Sequence, residues 1–282
     1  MVNEFRIDAL LPAEMAQQAE YLGVRKAEAP FAKTLVRAVL AGASIALGAV
    51  FATTVATGTS GRLPYGVAKA LIGLVFCLGL VLVIVGGAEL FTGNNLTVMA
   101  WANGKIRGVA SLRNWAIVYL GNLIGSLGTA ILVVASRQYS FAAGGIGAMA
   151  LSIAAGKLNL AFVQATALGI LCNALACLAI WMSFSARSTV DKIAVILFPI
   201  SAFVAAGFEY SVANMHFVPV ALLIRKFAPL FAAKSGIDLS AMTWGHFLLN
   251  NLLPVTIGNI IGGAVLVAVV YWFVFLRQTE NS

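Results

Sequence analysis

Charge is what this sequence has least of. Only 10% of its 282 residues are Asp, Glu, Lys or Arg, where a soluble domain carries about 25%. A further 61% are hydrophobic, and the mean hydropathy is +0.96. A water-soluble globule of this composition has too few charges to cover its surface. Acids are the scarcer sign, 10 against 18 bases, so the net charge of +8 reflects missing acids and excludes a nucleic-acid footprint. Cysteine is sparse as well. Cys77, Cys172 and Cys177 lie inside apolar runs, which reads as reduced packing residues and excludes a disulfide scaffold. The two histidines, His216 and His246, have no Cys or carboxylate at ligand spacing, so no metal site is expected. No cofactor motif and no nucleophile–His–acid set is present, which argues against an enzyme. The first 30 residues lack the apolar core of a signal peptide. What remains is an all-α polytopic membrane protein, long enough for about six to eight spans.

Six long apolar runs fill the chain, at 35–57, 67–104, 113–136, 160–184, 190–224 and 245–276. The second and fifth are too long for one plain span, and polar residues and glycine interrupt both. Ahead of them, Leu10, Leu11, Met15, Ala19 and Leu22 recur at helical spacing after Pro12. Residues 1–33 therefore read as an N-terminal interfacial helix on the cytoplasmic membrane surface, and 34–282 as one transmembrane channel domain. With the N-terminus inside, 11 of the 18 Lys and Arg residues, Arg6 included, fall on the cytoplasmic side. That bias places both termini in the cytoplasm.

The runs repeat. Gly87-Ala88-Glu89 with Asn94, and Gly207-Phe208-Glu209 with Asn214, both read G-x-E-x-x-x-x-N. Gly121-Asn122-Leu123-Ile124-Gly125 and Gly258-Asn259-Ile260-Ile261-Gly262 both read G-N-x-I-G. Ala-Leu-Gly occurs at 46–48 in run one and 167–169 in run four. Matches in the same order imply a 3+3 duplication with halves near 34–137 and 158–277. Three is an odd number of spans, so the second half enters from the opposite face and the repeat is inverted.

Glu89 and Glu209 are the acids deep in the apolar runs. A charge at the bilayer centre costs about 2.5–3.5 kcal/mol on the lenient insertion scale, so each needs partners. One reading makes each a cap that accepts backbone N–H bonds where its helix breaks; the other makes it a pathway carboxylate. Gly86-Gly87, Gly93-Asn94-Asn95, Gly207 and Asn214 are poor helix formers and mark the breaks. Unwound backbone at membrane depth is tolerated where protein buries it or a cavity uses it. Half-helices starting there aim positive dipole ends at the centre, which suits a small anion. Asn122, Asn173 and Asn259 read either as interhelical hydrogen-bonders or as pore lining. Lys157, just before run four, reads alone as a snorkelling lysine.

These residues resemble the formate/nitrite transporter family, and most closely its formate channels. The matching blocks run in order: Pro64-Tyr65-Gly66, Gly87-Ala88-Glu89-Leu90-Phe91-Thr92, Trp181 to Ser188, Gly207-Phe208-Glu209, Ala213-Asn214-Met215 and Pro254 to Asn259. The resemblance implies an aquaporin-like protomer with broken second and fifth helices, in a homopentamer with one pore per protomer. It implies passage of a small monovalent weak-acid anion, formate first, across a bacterial inner membrane. Carried over by motif, Phe76, Leu80 and Phe203 form one apolar constriction and Leu90 the other. Thr92 partners a central histidine, Lys157 draws the anion into the outer vestibule, and Asn173 and Asn259 are polar vestibule residues.

One position departs from the pattern. Where the family reads Phe-Glu-His-Ser, this chain reads Phe208-Glu209-Tyr210-Ser211. A histidine can carry a proton to the anion near neutral pH. A phenol, with an ordinary pKa near 10, donates a hydrogen bond but is no cation there. Nitrite, hydrosulfide or a neutral small solute stay open as alternative cargoes.

Overall fold

The computed structural model of the chain describes residues 9–59 and 61–277. Arg6, counted above for orientation, the first eight residues of the N-terminal segment and residues 278–282 lie outside them. Every element is helical; among the described residues there is no strand.

The elements follow the apolar runs. α1 is Pro12–Ala27, α2 Phe31–Ala56 and α3 Tyr65–Gly86. A tight helical turn at Gly93–Thr97 leads into α4, Val98–Ala102. α5 is Gly108–Ala135, α6 Gly145–Leu158 and α7 Phe162–Ser185. α8 is Thr189–Ala205 and α9 Ser211–Phe227, followed by the short α10, Pro229–Lys234. α11, Trp244–Phe275, is one continuous 32-residue rod with widened i→i+5 turns at Phe247–Leu252 and Ile261–Val269. Five helices, α2, α3, α5, α7 and α11, are long and apolar enough to cross a membrane. Run five is instead divided between α8 and α9, 17 residues each.

Local chemistry sets where these helices start and stop. Pro30 and Pro64 precede α2 and α3, where a missing N–H does no harm. Ser188 and Asp191 cap α8 reciprocally, the serine hydroxyl accepting from the Asp191 N–H at 3.1 Å and the carboxylate from the Ser188 N–H at 3.0 Å. α3 and α8 both end in a left-handed glycine, Gly87 at φ +70° and Gly207 at φ +75°. Nothing lies within 4 Å of a Cβ added at either, so backbone conformation and not space requires glycine there.

The halves pack alike. α2 lies against α5 and α7 against α11, with α3 and α8 side by side between them. A Cβ on Gly125 would strike the carbonyl of Val39, and one on Gly262 the carbonyl of Ile170. The small-xxx-small spacing of G-N-x-I-G is thus a packing device that brings two backbones together.

Two features differ from the sequence reading. α1 does form, but the face expected to rest on lipid is largely buried against protein. Met15, Ala16, Ala19, Gly23 and Ala27 pack on the 93–97 turn, α4 and α7. And α6 was not foreseen at all: its 14 residues have no polar face to mark them, being apolar nearly all round.

Candidate functional site

Both breaks place a glutamate just after the left-handed glycine, and a run of shared hydrogen bonds holds each one. In the first half the Glu89 N–H donates to the carbonyl of Arg37 at 3.1 Å. The Asn122 amide donates to the carbonyls of Ala38 and Glu89 at 2.8 and 2.9 Å, and its oxygen accepts from the Phe91 N–H at 2.9 Å. In the second half the Glu209 N–H donates to the carbonyl of Leu168 at 3.3 Å. Asn259 donates to the carbonyls of Gly169 and Glu209 at 2.9 and 3.0 Å and accepts from the Ser211 N–H at 2.9 Å. The unwound backbone is therefore stitched to its neighbours by one asparagine per half, as buried polar groups require.

The carboxylates take side-chain donors. Asn94 donates to Glu89 Oε2 at 2.8 Å and to Asn114 Oδ1 at 2.8 Å. Asn114 in turn donates to the carbonyl of Lys26 at 3.0 Å. Asn214 donates to Glu209 Oε2 at 2.6 Å and to Asn251 Oδ1 at 2.9 Å, and Asn251 to the carbonyl of Lys157 at 3.0 Å. Lys26 Nζ lies 3.1 Å from Glu89 Oε2, and Lys157 Nζ 2.9 Å from Glu209 Oε1. This corrects the capping reading, since lysine and asparagine supply the donors that backbone N–H groups were expected to supply. The pairs run in parallel: Lys26 on α1 stands to Glu89 as Lys157 on α6 stands to Glu209, both lysines lying outside the halves expected at 34–137 and 158–277. The same bonds pair Ala38 with Gly169, so the Ala-Leu-Gly match at 46–48 and 167–169 is fortuitous.

A cavity of about 650 Å³ opens between α2, α3, α6, α7, α8 and α9. Lys157, Glu209, Phe76, Phe203 and Tyr210 all line it. Lys157 sits 5.4 Å over the Phe217 ring and is only 16% exposed, so it is a paired, half-sheltered cation rather than a free snorkelling one. At the deep end Phe76 and Phe203 meet edge to face, with centroids 6.0 Å apart, and Phe203 lies 5.4 Å from Tyr210. Leu80, one turn beyond Phe76, is buried too. Beside these rings Tyr210 and Thr92, 118 residues apart, join hydroxyl to hydroxyl at 2.5 Å. Both are buried. Leu90, the first-half counterpart of Tyr210, is buried beside Phe91.

Asn173 and Asn259 contribute no surface to this cavity. Asn173 donates to Asn95 Oδ1 at 2.8 Å and to the carbonyls of Asn259 and Thr92 at 2.6 and 3.3 Å, bracing the first break from behind. His216 faces elsewhere, into a cleft of about 20 Å³ beside Thr53 and Tyr139. Lys26, Arg37, Asn114 and Asn251 escaped the sequence reading. Their signal was present as paired spacing: Asn114 stands eight residues before Asn122, and Asn251 eight before Asn259.

Residues 13–273 match the family profile described as "Formate/nitrite transporter". Over 278 residues the chain is 45% identical to "Formate channel FocA" of Escherichia coli (strain K12), covering 97% of each. It is 40% identical over 265 residues to "Formate channel FocA" of Haemophilus influenzae, covering 93% of each. Among solved structures, one described as "Pentameric formate channel with formate bound" is similar with a TM-score of 0.82 at 45% identity, over 88% of this chain and 98% of that one.

Proposed function

The chain belongs to the formate/nitrite transporter family, and from that premise we propose that it is a multi-pass membrane channel for small monovalent weak-acid anions, formate first. It works as a homopentamer with a pore in each protomer and has no catalytic machinery. It crosses the bacterial cytoplasmic membrane six times, α8 and α9 together making the fifth crossing, with both termini inside. The observation that carries this reading is its 45% identity, end to end, to formate channels.

The geometry supports a physical account. An anion in the wide cavity meets Lys157 before the neck. The Lys157 charge is shared with Glu209, so it attracts without trapping. The neck of Phe76, Leu80 and Phe203 offers only apolar side chains, and a bare charge there loses its hydration with no partner in return. The Thr92–Tyr210 hydroxyl pair is the polar group next behind it, able to donate to an anion or to a neutral acid. Tyr210 supplies no cation at neutral pH, so the proton that neutralises a weak-acid anion comes from solvent and not from this residue.

The test is a liposome flux panel of formate, nitrite, hydrosulfide, acetate, lactate and glycerol at two pH values. Formate flux far above that of lactate is expected. Glycerol flux without formate flux would overturn the reading in favour of a neutral-solute pore.

A further inference from the structure

The two carboxylate pockets share their amide and carbonyl partners, so the position where they differ in charge stands apart. The carbonyl that receives the Glu89 N–H belongs to Arg37; the one that receives the Glu209 N–H belongs to Leu168. Arg37 uses its side chain as well. Its Nε donates to the carbonyl of Gly87 at 2.7 Å, and Nη1 lies 3.1 Å from Glu89 Oε1. Lys26 is already paired with the same carboxylate. Among the described residues the first pocket thus holds two cations and one anion, and the second Lys157 and Glu209 alone. Leu168 lines the large cavity beside Lys157 and Glu209. Its counterpart by the matching bonds is Arg37, which with Lys26 of α1 holds Glu89; an inverted repeat turns it to the opposite mouth, on the α1 side. The Arg37 side chain is 37% exposed in the single protomer, the more open of the two cations on Glu89. Lys69 also reaches the large cavity, but from seven residues before Phe76 on α3, roughly 10 Å along the axis, which makes it a rim charge.

We propose that Arg37 sets a side-specific affinity: its guanidinium gives the α1-side mouth an excess positive charge that concentrates small anions, so conduction saturates at lower anion concentration from that side. The inference rests on the anion-conduction reading above. A fixed charge raises local occupancy at one mouth and leaves the equilibrium across the membrane untouched. For unit charges about 6 Å apart at an effective dielectric of about 40–80, the effect is about three- to tenfold in half-saturating concentration. It shrinks at high salt, where the screening length falls to roughly 3 Å.

The experiment uses the full chain in planar bilayers, oriented by the side from which an N-terminal tag is accessible, with formate current titrated from each side. Arg37→Leu and Arg37→Gln should raise the half-saturating concentration about three- to tenfold from the α1 side only. Glutamine keeps a donor for the Gly87 carbonyl, which separates charge from backbone support. Arg37→Lys should stay near the unmodified value. Leu168→Arg, which leaves the first pocket intact, should lower the value from the opposite side. Variants of Arg37 that shift both sides equally, or neither, overturn the proposal while leaving conduction in place. No formate current from either side of the unmodified chain would defeat the conduction reading and this proposal with it.

Discussion

Glu89 sits between two partly exposed cations, whereas Glu209 leans on one sheltered lysine. The amides around them are otherwise the same: Asn94 and Asn214 hold the carboxylates, Asn114 and Asn251 brace those amides, and Asn122 and Asn259 hold the backbone. One more detail separates the pockets. Asn94 Oδ1 accepts from Lys26 at 2.6 Å, while among the described residues Asn214 Oδ1 has no partner and Lys157 turns toward Phe217. The two pockets therefore match in the parts that satisfy buried backbone and differ in the parts that set charge. An amide that holds buried backbone cannot be lost without orphaning a polar group in an apolar medium; a second cation on a carboxylate can.

The comparison can be broken most forcefully at the carboxylates. Glu209→Ala leaves Lys157 charged and poorly exposed, and should destabilise the protein by about 3–5 kcal/mol. Glu89→Ala should do less, because Lys26 and Arg37 can turn to water. Unfolding in detergent with graded denaturant reads the difference, and equal losses would show that exposure does not separate the two pockets. Next come the packing glycines. Gly125→Val and Gly262→Val should each cost about 1–3 kcal/mol or more, and by similar amounts, since each drives a side chain into the facing backbone. Tolerance at one and not at the other would mean that the halves pack unequally. The smallest effect on stability falls on the paired positions Leu90 and Tyr210. Tyr210→Phe removes the bond to Thr92 at about 1 kcal/mol, and formate flux should fall without a new pH dependence. Tyr210→His should introduce a titration step near pH 6.5. A step of that kind already present in the unmodified channel would move attention to another proton carrier.

Much of this was legible in advance, because the requirements are written in residue types that cannot be exchanged cheaply. G-x-E-x-x-x-x-N announces a break that needs a left-handed glycine, a buried acid and an amide to satisfy it. G-N-x-I-G announces two backbones in contact around one asparagine. Thr92 and Tyr210 come together because those motifs fix the breaks that carry them. α1 and α6 were read less well. Contact with protein and contact with lipid select the same small apolar residues, so Met15 and Ala19 could not say which they meet. Lys157 reads as an ordinary interfacial lysine, and Lys26 goes unmarked, for a similar reason: the carboxylate that each meets lies more than 50 residues away in the chain. Asn173 and Asn259 were open between lining and bracing, and only their partners, not their identity, distinguish the two.

The helix α11 has a consequence for the bilayer itself. Its 32 residues would extend at most about 48 Å, the widened turns shortening it, against a hydrocarbon core of roughly 30 Å. α7, the other helix of its packed pair, has 24, or about 36 Å. The longer rod must tilt or stand proud of the lipid, and a thicker membrane relieves it where a thinner one exaggerates the mismatch. Its first turn is already tied down at one end, where His246 meets the carbonyl of Leu158 at 2.9 Å. Tilting of α11 would therefore be transmitted through that bond to the end of α6 that carries Lys157.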